Sequence, residues 1–150
     1  MKKYEPKDLQ ICDDALVWIR RHREMYLDAN VTPAALVDAL TSEVIALGIE
    51  SIGSFSRDGW HIVGARQDWM REGRCWASDE DTFHRIIALP ELGQNCMRAE
   101  VLVAAFAQDV VTILASRMTA ISGRCDIQQT LEREMTARQW VRLVAFRMGE

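Results

Sequence analysis

Lysine is almost missing from this chain: Lys2, Lys3 and Lys7 are the only three, and the other fifteen of its eighteen Lys and Arg residues are arginines. With 22 acidic residues the net charge is −4, so no overall field draws the protein to nucleic acid or to an anionic membrane. No apolar run reaches the roughly 18–20 residues needed to cross a bilayer, and "MKKYEPKDLQ" is followed by no signal-peptide core. The expected location is therefore cytoplasmic. The eight glycines are isolated, which excludes a glycine-rich phosphate loop, and no glycine-flanked serine forms a nucleophile elbow. His22, His61 and His84 have no second histidine or cysteine at ligand spacing, and Cys12, Cys75, Cys96 and Cys125 match no zinc or redox motif. Buried reduced thiols are expected, and no metal, cofactor or catalytic residue is assigned.

The chain is one domain's worth, 150 residues with 49% hydrophobic and 27% charged, enough to bury a sizeable core. Residues 1–10 read as a polar tail and 11–150 as a single domain. From Asp13 or Asp14 the apolar positions Ala15, Leu16, Ile19 and Tyr26 recur at helical steps. Thr32-Pro33 is a strong helix start, since threonine caps free amides and proline at the first position loses no needed hydrogen bond. Leu36, Leu40, Val44 and Leu47 form its stripe, and Gly48 ends it.

"IESIGSF", the turn "SRDG" and "WHIVGA" predict a β-hairpin, with Asp58-Gly59 supplying positive backbone dihedrals. A loop carrying Trp69 and Trp76, a short helix before Pro90 and a buried helix from Asn95 to about Gln108 follow. "DVVTILAS", "CDIQQTLERE" and "RQWVRLVAFR" read as three further strands. The order predicts an α+β two-layer sandwich, with helices on one face of a mainly antiparallel mixed sheet.

Three polar or aromatic stretches stand out. "IRRHR" makes Arg20, Arg21 and Arg23 either a partner contact or a solvated helix end. In "PELGQNCMRAE", Asn95 and Arg98 can receive an anion, or fix the turn together with Glu91 and Glu100. Trp60, Trp69 and Trp76, within seventeen positions, would make a protein-binding hot spot if partly exposed, while Trp60 on the hairpin can equally be core.

The spellings "IRRHREMYL", "LVDALTSEVIALGIES", "IGSFSRDGWHIVGA" and "AEVLVAAFAQDVVTILAS" occur in the order of a known family. Over residues 13–133 the chain resembles the ATP-binding domain of the DNA gyrase B subunit and its relatives, the GHKL or Bergerat-fold family. That resemblance implies a catalytic glutamate and a metal-binding asparagine on the second helix, where this chain has Ala35 and Ala39. Asp38 keeps part of the local motif. The adenine-reading aspartate falls on Ala65, with Asp68 three residues late, and the phosphate lid is reduced, with Gly93 alone in place of a multiple-glycine run. Alanine supplies neither base nor metal ligand, so the resemblance implies a scaffold without its chemistry. The resulting expectation is a noncatalytic module that binds another protein: an adaptor, immunity or bacterial conflict-system component, contacting its partner through Arg20, Arg21, Arg23, Trp69 and Trp76. The alternative is a small-ligand or nucleotide-binding protein using Asp38, Asp68, Asn95 and Arg98.

Overall fold

The computed structural model describes residues 14–25, 31–71, 78–93 and 96–149. The N-terminal tail, Tyr26, Trp76, Asn95, Cys12 and Cys75 lie outside the described residues.

Helix α1 (Ala15–Arg21) is started by Asp14, whose side chain accepts from the Leu16 amide at 2.9 Å. A short 3₁₀ turn, Arg23–Met25, follows it. Helix α2 (Pro33–Ala46) has the expected ends: Thr32 Oγ1 accepts from the Ala35 amide, Pro33 occupies the first turn, and Gly48 takes φ +83° just beyond the last turn. Strands β1 (Gly53–Arg57) and β2 (Trp60–Ala65) form the predicted hairpin. Asp58 and Gly59 both adopt positive φ, +54° and +83°, which is the backbone a two-residue turn needs to match strand twist.

After the 3₁₀ turn Trp69–Arg71 come α3 (Asp79–His84), α4 (Glu100–Phe106), β3 (Asp109–Leu114), β4 (Arg117–Ser122), α5 (Gln128–Arg138) and β5 (Arg142–Arg147). The five strands make one sheet in the order β1-β2-β5-β3-β4, with every pairing antiparallel. β5 lies at the centre, flanked by β2 and β3 and paired with each along its whole length.

The α+β class with an antiparallel sheet is present as expected, and the helices divide between its two faces. Val63, Ala65, Val110, Val144 and Phe146 share a core with α1, α2, α3 and α4. Ile62, Val111, Ile113, Leu143 and Ala145 point the other way and meet Leu131 and Met135 of α5. Burial on both faces explains why "DVVTIL" and "RLVAFR" are apolar at nearly every position rather than alternating. The segment expected as a strand at "CDIQQTLERE" is a short loop, residues 125–127, followed by the first seven residues of α5. That helix is polar on most sides and buries only Leu131 and Met135, one turn apart. The strand omitted from the sequence reading is β4, which follows the two-residue turn Ala115-Ser116.

Candidate functional site

Helix α2 and the described residues 86–93 and 96–102 enclose an open groove of about 710 Å³. Its wall is largely hydrophobic: Met25, Ala39, Ile86, Leu92, Met97 and Leu102 line it, with Ser42 and Cys96 as polar or thiol positions. Three rim residues are well exposed for apolar side chains: Met25 at 71%, Ile86 at 47% and Leu92 at 39%. The far wall is held by an isolated bridge between Ala88 and Met97, reinforced by hydrogen bonds from Leu89 N to Cys96 O and from Arg98 N to Ile87 O.

Beside this groove, Glu43, Arg98 and Glu100 form an ionic cluster that is almost completely closed to solvent. Glu43 sits on the buried stripe of α2, and its Oε1 accepts from the Ala99 amide at 3.0 Å. It thereby serves the start of α4, whose first turn has no side-chain cap of its own. The Arg98 guanidinium lies 3.6 Å from a carboxylate oxygen of each glutamate and donates to the Trp69 carbonyl at 2.9 Å. The Trp69 indole N–H donates to Glu100 at 3.2 Å.

Burial, followed by repulsion from Glu100 and a hydrogen bond between the two carboxyls, raises the Glu43 pKa well above its ordinary value. As carboxylates, Glu43 Oε2 and Glu100 Oε2 would have no donor. A proton retained on Glu43 relieves the repulsion between the two carboxyls and gives that group a donor.

A second ionic cluster closes the same side of the sheet. Arg142, fully buried in β5, donates to both oxygens of Asp68 at 2.8 and 3.0 Å and to those of Asp79 at 3.0 and 3.2 Å. It also donates to Thr112 Oγ1 at 3.1 Å. Burial alone would lower its pKa; the hydrogen bonds and charges of the two aspartates outweigh that, and the net direction is upward.

These contacts separate the residues that the sequence reading grouped as a ligand site. Asp38 is exposed on α2, Asp68 is committed to Arg142, and Arg98 is sealed between two glutamates. Arg98 therefore presents no charge to an external anion. The expected helix start at Asn95 is also corrected, since α4 begins at Glu100.

Of the expected partner contacts, Trp69 is fully buried and unavailable at the surface, because its ring fills the α-side core and its N–H serves Glu100. Arg20 is spent in part on the Ala105 carbonyl near the end of α4, while Arg21 and Arg23 are exposed. Ala39 lines the groove, Ala35 lies in the first turn of α2 and Ala65 is buried in β2. Among the described residues, no group of three His, Cys, Asp or Glu side chains is placed to hold a metal ion, and no helix is long and apolar enough to cross a membrane.

The sequence carried one signal for the buried cluster. Glu43 lies seven residues after Leu36 and three after Leu40, on the apolar stripe, so a charge there is directed inward. Its partners are not legible, because Ala99 is 56 positions away. Comparison with family models, with curated proteins and with solved structures finds no match.

Proposed function

We propose that the protein is a noncatalytic interaction module, of the adaptor or immunity type, that receives an apolar segment of another protein in the groove between α2 and residues 86–93 and 96–102. The observation that carries this reading is the groove's composition. Met25, Ile86 and Leu92 stand exposed around a wall whose described lining residues offer Ser42 and Cys96 as the polar or thiol side chains to orient a small molecule. Methionines at such a surface adapt to differently shaped apolar partners, and exposed apolar groups clustered around one concavity mark interaction sites more often than isolated ones do.

The reading also draws on the resemblance to the GHKL family. A degenerate scaffold with alanines at positions 35 and 39 has no carrier for water activation or metal binding on α2. Arg98 and Asp68 are already neutralised inside the protein, which removes two of the polar groups a nucleotide would need.

The competing reading, a small-ligand or nucleotide site, has the groove's size in its favour, because ligand pockets span roughly 300–1,000 Å³. One pair of experiments separates the two. Affinity purification from the source organism is compared between the wild type and an Ile86→Asp, Leu92→Asp variant, and the wild type is titrated with ATP and ADP, with and without magnesium. A partner retained by the wild type and lost by the variant supports the interaction module. Saturable nucleotide binding with no such partner would replace it with the second reading.

A further inference from the structure

We propose that β4 is a self-association edge. Two copies pair their Arg117–Ser122 strands antiparallel about a two-fold axis at Thr119, joining two five-stranded sheets into one continuous sheet. This inference is independent of the groove.

Among the described residues β4 is an outer strand, paired with β3 alone in the order β1-β2-β5-β3-β4. An outer strand presents a row of main-chain donors and acceptors that a further strand can satisfy. Leu114 and Arg117 flank the two-residue turn Ala115-Ser116 and are opposite one another, so they form the hydrogen-bonded pair that closes the hairpin. From there the antiparallel pattern alternates: Thr119 turns its main-chain groups toward Thr112, and Met118 and Ala120 turn theirs away from β3. The register shift at Val110/Val111 marks where this regular stretch ends.

Two outward residues separated by one position are self-complementary. With Thr119 opposite Thr119 of a second copy, Met118 of each strand meets Ala120 of the other, and every outward N–H and C=O at these positions gains a partner. Arg117, the strand's one charge, lies outside the Met118–Ala120 stretch and does not face its own copy, so no like charges are opposed. Directly opposed side chains lie on the same face of an antiparallel pair. Met118, which packs with the α5-side core, therefore meets the exposed Ala120 of the other copy.

β4 has no proline and no lysine, and its one charge is at its first residue; its one edge-protecting device is the bulge at Ile121, which lies beyond the Met118–Ala120 stretch that pairs. The opposite edge differs: β1 is shorter, starts at a glycine and offers Ser54, Ser56 and Arg57. Its single large side chain, Phe55, is covered by the Arg138 guanidinium at 4.5 Å. A second copy through β4 fits the sheet better than one through β1.

The test is the mass of the intact protein in solution, measured by light scattering and sedimentation across a dilution series, together with site-directed crosslinking. The wild type should weigh twice the 17.1 kDa chain. Ala120→Pro removes an outward N–H while sparing the bonds to β3, and should give a folded monomer by circular dichroism. Thr119→Cys should form a disulfide-linked dimer on mild oxidation, beyond any seen with the wild-type cysteines, whereas Ser56→Cys on the other edge should not. Thr119→Cys decides the matter if the proline variant does not fold. A wild type that stays monomeric throughout, a folded Ala120→Pro dimer, or crosslinking through Ser56→Cys instead of Thr119→Cys overturns the proposal.

Discussion

Gly64 in β2 lies so close beneath the indole of Trp140 that a Cβ at position 64 would overlap ring carbons. Gly53, its cross-strand partner in β1, lies under the same ring, where a Cβ would come 3.0 Å from Cζ2. The two glycines are thus a seat for the tryptophan, which Phe55 and Arg138 help to cover. Glycine weakens a strand because it has no side chain to pack; here the indole fills that space. Gly64→Ala should lower unfolding stability by about 1–3 kcal/mol, the usual cost of overpacking. Gly53→Ala should cost less, since its contact is less severe. Chemical denaturation followed by tryptophan fluorescence would check both; equal stability of wild type and Gly64→Ala would show that the ring moves aside freely.

The Glu43 proton predicts an unusual pH dependence. The folded protein holds this proton above the ordinary carboxyl value of 4.5, whereas the unfolded chain releases it there. Stability from this group is therefore fully present below 4.5. It falls as pH rises through the window up to the raised folded value, and levels off beyond it. Glu43→Gln keeps an oxygen for the Ala99 amide and gains an N–H for Glu100. It should flatten the dependence and make the protein more stable than the wild type at neutral pH. Melting temperatures of both proteins from pH 4 to pH 8 test this, and parallel profiles would refute the retained proton.

Arg142 should be far less replaceable. Its removal leaves Asp68 without its guanidinium partner and Asp79 with Arg71 alone, at a cost of up to about 3 kcal/mol, the low end for breaking a buried pair because both carboxylates keep some contact with solvent. Arg142→Lys should recover only part of this, because an ammonium cannot address two carboxylates with planar, paired donors. Urea midpoints for Arg142→Met and Arg142→Lys measure the difference.

Gln139 closes α5 in the left-handed region, at φ +59°. A side chain there carries strain that glycine avoids, so Gln139→Gly should stabilise the protein by about 0.5–1 kcal/mol. A lower melting temperature would mean that the Gln139 side chain makes a compensating contact.

Elements bounded by local chemistry were the most legible in the sequence. Thr32, Pro33 and Gly48 delimit α2, and Asp58-Gly59 specifies the first hairpin, because each acts on its own backbone. α5 was not legible: two buried residues in an otherwise polar helix leave little helical period, and its alternation resembles an exposed strand. The same limit applied to the candidate site. Asp68 looks available to a ligand when read alone, yet Arg142, far along the chain, neutralises it; for Arg98 the nearby Glu100 was legible as a partner and the distant Glu43 was not. Trp69 looks like a surface anchor beside polar neighbours, and its burial depends on helices that the local sequence does not describe.

The central position of β5 has a consequence for synthesis. The hairpin β1–β2 and the hairpin β3–β4 share no strand pairing except through residues 142–147. While the chain is being made, each hairpin can close as soon as it emerges, but the sheet stays in two halves until β5 has left the ribosome. Until then the inner edges of β2 and β3 are open, and both halves depend on protection from wrong pairing. A nascent chain stalled before Arg142 should therefore be digested by protease, and one stalled with residues 142–147 well clear of the tunnel should resist.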